Sequence, residues 1–130
     1  MQVSLEHPTE GEKPRVFTFD MVYGGDSKQQ DVYDECGFSL VENVIEGYNG
    51  TMFAYGQTGS GKSYSQFGYG ANRGIIPVCA DELFKRIDAN TDPNITFQVS
   101  CRIIEIYQEK LQDLLVDFKD KGKKELKIRQ

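Results

Sequence analysis

The sequence predicts an α/β fold in which a phosphate-binding loop sits at the carboxyl end of a buried strand. Three observations predict it. Segments of period-two alternation and segments of helical periodicity interleave along the chain in the order β-α-β-α-β-β. The apolar run Thr51-Met-Phe-Ala-Tyr55 leads directly into Gly56-x-x-x-x-Gly61-Lys62-Ser63, with Ser63-Tyr64-Ser65 free to open a helix. A long one-faced helix, marked by a capping signal at its start and glycines at its end, lies just upstream.

Taken in order, Met1 to Leu5 alternates weakly and reads as a short edge strand. Residues 7–14 hold two prolines and a glycine and form a turn, which leaves the single histidine, His7, outside any site. Arg15 to Tyr23 alternates Val16 and Thr18 against Phe17 and Phe19 and reads as a strand closed by Gly24-Gly25. Ser27 with Gln30 matches a capping box, and Val32, Cys36, Leu40, Val44 and Tyr48 then recur at i, i+4 beside Val41 and Ile45, one apolar face of a helix. Gly37 in its middle costs about 1 kcal/mol against alanine, which suggests close packing against a neighbour. After the glycine-rich loop a short helix reaches about Phe67, and 68–74 is a flexible loop. Pro77 stands in the first turn of a second helix with Leu83, Phe84 and Ile87 as its core stripe. Ile95 to Tyr107 reads as a long strand, Glu109 to Leu115 as a short helix, and Leu126 to Arg129 as the start of another strand.

The chemistry concentrates at 56–64. A triphosphate offers several anionic oxygens, and backbone N–H groups at a tight turn opening a helix bind them with little rearrangement. Gly56, Gly59 and Gly61 remove the Cβ atoms that would keep the main chain away, and Lys62 supplies a point charge for the β- and γ-phosphates. The Ser63 hydroxyl is suited to Mg²⁺.

Composition excludes other classes. The 130 residues carry a net charge of −5, which disfavours free-standing nucleic-acid binding, and no apolar run is long enough for a membrane span. Nothing at the N-terminus resembles a secretion signal, so a reducing, cytoplasmic setting fits Cys36, Cys79 and Cys101, which have no metal-ligand spacing. The sequons at Asn49 and Asn94 are then chance matches. Six basic residues between Lys119 and Arg129 form either a solvated loop or a contact surface for an acidic partner.

Several blocks together resemble the kinesin motor domain. Phe17-Thr-Phe-Asp20 with Val22-Tyr23 resembles the family's FxFDxVF strand, and Gln30-x-Val-Tyr33 its QxxVY helix start. Glu46-Gly-Tyr-Asn-Gly-Thr-Met-Phe-Ala-Tyr-Gly-Gln-Thr-Gly-Ser-Gly-Lys-Ser63 is close to a continuous family signature. Arg73-Gly-Ile-Ile-Pro77, Glu105-Ile-Tyr107 and Asp113-Leu-Leu115 follow in the family's order, and Lys62-Ser-Tyr-Ser65 leans toward kinesin-3-like members. The resemblance implies an incomplete motor domain over residues 1–130, a partial P-loop NTPase sheet with flanking helices. It implies ATP or ADP with Mg²⁺ as cofactors, and a parent protein that moves on microtubules of the cytoskeleton. It implies that Gly59, Ser60, Gly61, Lys62 and Ser63 hold phosphates through main-chain N–H groups and that Gln57 and Thr58 mainly shape the loop. It also sets Tyr64 either against the adenine or in ordinary helix packing. The family's RxRP strand, NxxSSRSH and DLAGSE switches, tubulin-binding helices and neck linker are not among these residues. No catalytic residue is therefore expected here, and the chain by itself is expected neither to hydrolyse ATP nor to step. The other expectation is a non-enzymatic nucleotide-binding or interaction module that self-associates through exposed sheet edges. A small nucleotide kinase fits poorly, because about fifty residues precede the loop and no arginine-rich lid follows.

Overall fold

Alternation at the N-terminus yields a hairpin. Strands β1 (Gln2–Leu5) and β2 (Arg15–Thr18) pair antiparallel with Val3 opposite Phe17, and Met1 extends the ladder by exchanging hydrogen bonds with Phe19. The computed structural model describes residues 1–9, 11–117 and 126, in two units, Met1–Thr91 and Asp92–Gln130. The second strand ends five residues short of the expected Tyr23. Tyr23 instead donates its hydroxyl to Glu35 Oε2 at 2.8 Å, which ties the chain leaving β2 to the following helix.

That helix is continuous but changes its winding. It runs as α1 (Gln29–Val32), a π-helical turn (Tyr33–Gly37) and α2 (Phe38–Ile45). The cap differs from the expected Ser27 and Gln30 pair. The Lys28 N–H donates to Asp31 Oδ2 at 2.7 Å, while Gln30 turns outward to Asp34. Asp31 prevails because its short carboxylate reaches the cap N–H and its charge suits a helix N-terminus. The buried residues are Tyr33, Gly37 and Val41: Val41 belongs to the predicted face, Tyr33 and Gly37 stand one position beyond Val32 and Cys36, which are half-buried, and Val44 and Tyr48 are exposed. A Cβ on Gly37 would lie 2.6 Å from the Tyr33 ring and 3.4 Å from Cys79 Sγ, so the glycine marks the close packing expected of it. The Tyr33 hydroxyl is buried without a partner among the described residues, and burial pushes its pKa up.

Residues 51–55 form no strand, because no segment pairs with them among the described residues; Phe53 and Tyr55 are largely exposed. After the glycine-rich loop come α3 (Lys62–Gln66), then β3 (Gly68–Tyr69) and β4 (Asn72–Arg73), a tight hairpin where a flexible loop was expected. Helix α4 (Ile75–Asp88) starts two residues before Pro77, which occupies its first turn where no intrahelical N–H is needed. Ile75 is buried, Leu83 and Ile87 are half-buried, and Phe84 is half exposed, so the predicted stripe is only partly core.

Helices α2 and α4 are joined by charge. Arg86 pairs with Glu42 and donates from Nε to Glu82 Oε1 at 2.9 Å, with its guanidinium 5.7 Å from the Phe38 ring centroid. The Arg86 hydrogen bond holds the Glu82 carboxyl below its usual 4.5. A carboxyl depressed in the folded state stabilises the fold above its ordinary value and loses that contribution as pH falls through the folded one. Arg86→Ala is therefore expected to lower the thermal midpoint by a few degrees at pH 7, and the difference from wild type to shrink as pH drops below about 4.5, followed by circular dichroism.

In the second unit the structure departs from the reading most. Only Ile104–Tyr107 of the predicted long strand pairs, as β5, and its partner β6 (Lys110–Asp113) replaces the expected helix over 109–115. Gln108 and Glu109 both take positive φ, 47° and 64°, the two-residue turn whose twist matches the flanking strands. The four-pair ladder then bonds the inward-facing backbone groups of both segments at once, which outweighs the helical spacing of Leu111, Leu114 and Leu115. The lysine cluster and most of the expected strand at 126–129 lie outside the described residues.

Candidate functional site

The loop from Gly56 to Gly61 is built by its own glycines. Gly59 and Gly61 take φ of 81° and 89°, left-handed values that side chains resist, and a Cβ on either would point into open space. A Cβ on Gly56 would collide with the Ser60 hydroxyl, so a bare backbone is required where the loop folds on itself. The Ser60 N–H donates to Gln57 O at 3.2 Å and closes the turn. The N–H groups of Gly59, Gly61, Lys62 and Ser63 have no protein partner among the described residues, as expected of a turn feeding a helix N-terminus. Donors left free in this way suit an anion.

Lys62, the first residue of α3, is half-buried and bends back over the loop. Its Nζ donates to Gly56 O at 2.9 Å and Gln57 O at 2.7 Å. Its charge thus lies within the loop, and the third ammonium hydrogen is left for an oxyanion. Ser63 is exposed on the first turn, one position further along. Among the described residues no cluster of three or more acidic, cysteine or histidine side chains is arranged to hold a metal ion. Gln57 and Thr58 are exposed and contribute loop backbone, the former through its carbonyl. The structure thus brings the sequence-predicted residues 56–63 together in one turn.

Tyr64 follows on α3. Its ring stacks on Tyr69 from the β3–β4 hairpin, centroids 6.0 Å apart and planes inclined at 29°, and 42% of the residue remains exposed. Gln29, at the start of α1, donates its side-chain amide to the Tyr64 carbonyl oxygen at 2.5 Å. Beside these residues opens a cavity of about 540 Å³ lined in part by Gln29, Tyr64, Asn72, Arg73 and Asp81. Arg73 closes one wall by pairing with Asp81 and donating to Pro77 O at 3.0 Å. Sequence reasoning missed Gln29 and Tyr69, and only the blocks around Tyr33 and Arg73 lay near them.

A family model described as the kinesin motor domain matches residues 1–130. The chain belongs to the kinesin motor-domain family. Its fold is accordingly a partial α/β P-loop NTPase. The chain is similar to kinesin-like protein KIF3C of Pongo abelii, 45% identical over 128 residues, covering 95% of this chain and 16% of that protein. It is also similar to KIF27 of Rattus norvegicus, 49% identical over 109 residues, covering 79% and 8% respectively. Among solved structures, the KIF14 dimer in its two-heads-bound state with AMP-PNP on a microtubule matches with a TM-score of 0.76 and 33% identity. That match covers 89% of this chain and 33% of the KIF14 chain. This kinesin chain thus spans under a fifth of these curated relatives' length and a third of the solved motor.

Proposed function

We propose that this chain is the ATP-binding part of a kinesin-like microtubule motor. The observation that carries the reading is the loop itself: N–H groups without a protein partner among the described residues at Gly59, Gly61, Lys62 and Ser63, with the Lys62 charge folded within it. Gly56, Gln57, Thr58, Gly59, Ser60, Gly61, Lys62 and Ser63 would hold the phosphates of ATP or ADP, and the Ser63 hydroxyl would supply the protein oxygen for Mg²⁺. Mg²⁺ there would neutralise phosphate charge; with no acidic cluster at hand among the described residues, it would arrive with the nucleotide. Tyr64 would take the base. Membership of the family and the microtubule-bound KIF14 relative support tubulin as the parent protein's partner and the cytoskeleton as its place. Among the described residues no helix is long and apolar enough to cross a membrane.

None of the residues grouped at the loop is a general base or a γ-phosphate sensor, so the chain binds without turning over. The purified 130-residue chain is expected to bind Mg·ATP weakly in calorimetry and to show no microtubule-stimulated phosphate release. Stimulated release would overturn the second half of this reading, and absence of binding the first.

One observation favours a second reading, an interaction module. The β5–β6 hairpin leaves Ile104, Ile106 and Tyr107 at 53%, 69% and 67% exposure, and its outer edges are unpaired among the described residues. Such edges pair with other chains. A single sharp monomer in sedimentation, with cooperative unfolding, would count against self-association.

A further inference from the structure

Tyr64 is held from outside its own helix at two points. The first is the Gln29 amide on its carbonyl oxygen, a contact spanning 35 positions of sequence. The second is the Tyr69 ring stacked on its own. Helix α3 is five residues long, so the Tyr64 carbonyl falls among the last four, which have no intrahelical donor. Gln29 supplies the missing donor and thereby sets the rotation of the last turn of α3, from which the Tyr64 ring projects. With Tyr69 on one face, the ring keeps part of its surface open for a second planar partner. The N–H groups without a protein partner among the described residues, at Gly59, Gly61, Lys62 and Ser63, lie before this turn and are set by the loop glycines and Lys62.

We propose that Gln29 is a positioning residue for the base end of the nucleotide site, acting through Tyr64, with Tyr69 as its second support. The proposal rests on the nucleotide-binding reading above. It separates two parts of one ligand: the loop holds the phosphates, while Gln29 and Tyr69 orient the ring that meets the base. Loss of either support frees the Tyr64 ring to turn away, which penalises a ligand that carries a base and spares one that lacks it.

The test compares Mg·ATP with Mg·tripolyphosphate, which has no base, on the full 130-residue chain. Gln29→Met keeps the length of the side chain and removes the donor. It is expected to weaken Mg·ATP roughly five- to tenfold while Mg·tripolyphosphate changes by less than about twofold. Tyr69→Ala, at a position 68% exposed, serves as a second variant that leaves the fold intact, and the same split is expected. Equal losses for both ligands would reduce Gln29 to a structural support of α3 and overturn the proposal, as would no loss for either. Wild type binding both ligands equally tightly would overturn the proposal alone and leave the phosphate site standing. Wild type binding neither would overturn the nucleotide reading and the proposal with it.

Discussion

Lys62→Ala is expected to weaken Mg·ATP binding by between ten- and about a hundredfold, measured by displacement calorimetry on the purified chain. Charge-assisted hydrogen bonds contribute about 1.5–3 kcal/mol each way they are counted, and the ammonium has no substitute nearby in the loop. The structure adds a feature that a motif cannot show. Two of the three Lys62 ammonium hydrogens already sit on Gly56 O and Gln57 O, so one is left for a phosphate oxygen and any further bond displaces a carbonyl. That limit places the expected loss toward the lower end of the range. Removing the side chain also frees the two carbonyls, so the loop loses its internal clasp and becomes easier to open. Mg·tripolyphosphate should weaken as much as Mg·ATP if, as proposed, Lys62 meets phosphate and not base. Lys62→Arg should recover little, since a planar fork does not fit where a compact ammonium caps two carbonyls. Equal Mg·ATP affinity for wild type and Lys62→Ala would mean the loop keeps its shape without its function.

What was legible in the sequence was what local chemistry decides. The loop at 56–61, the start of α3 and the two strands of the first hairpin follow from glycine placement and period-two alternation, although the second strand stops at Thr18 and not at the expected Tyr23. What was not legible depends on partners. Thr51 to Tyr55 and Ile95 to Ile103 carry strand patterns, yet a strand forms only when another segment completes its ladder, and no such segment is found among the described residues. Tyr33 and Gly37 are buried beside the predicted Val32 and Cys36 because α4 packs there, with Cys79 against Gly37, and which flank of a helix a neighbour covers is not written in its spacing. The β5–β6 turn uses Gln108 and Glu109 at positive φ, where the usual signal is Asn-Gly, so no turn was anticipated. Within the site, the loop was readable because its residues are contiguous. Gln29 and Tyr69 were not, since neither belongs to a motif and only folding brings them to Tyr64.

Gly74→Ala is expected to damage the fold heavily for so small a change. Gly74 is buried between the end of α3 and the start of α4, and its N–H donates to Phe67 O at 2.9 Å. A Cβ there would stand 2.6 Å from the carbonyl carbon and oxygen of Gln66 and 2.7 Å from the carbonyl carbon of Phe67. These are main-chain atoms, which cannot swing aside as a side-chain tip can. Backbone conformation is not at issue, because φ at Gly74 is −78°. The penalty is volume alone, and overpacking of this kind costs about 1–3 kcal/mol. Relief requires Gln66 and Phe67 to move away from α4, and α3 is so short that Lys62 and Ser63 move with them. Gly74→Ala is therefore expected to lower the urea midpoint and to weaken Mg·ATP and Mg·tripolyphosphate together, unlike Gln29→Met, which should separate them. Gly25→Ala, where a Cβ meets nothing within 4 Å, is the matched control and should change neither. A wild-type midpoint and affinity for Gly74→Ala would show that α3 is free to shift against α4. The same distances give the Arg73-Gly-Ile-Ile-Pro77 block a physical reason: a glycine is needed there because two helices meet at backbone contact, and that contact holds the phosphate loop's helix in place.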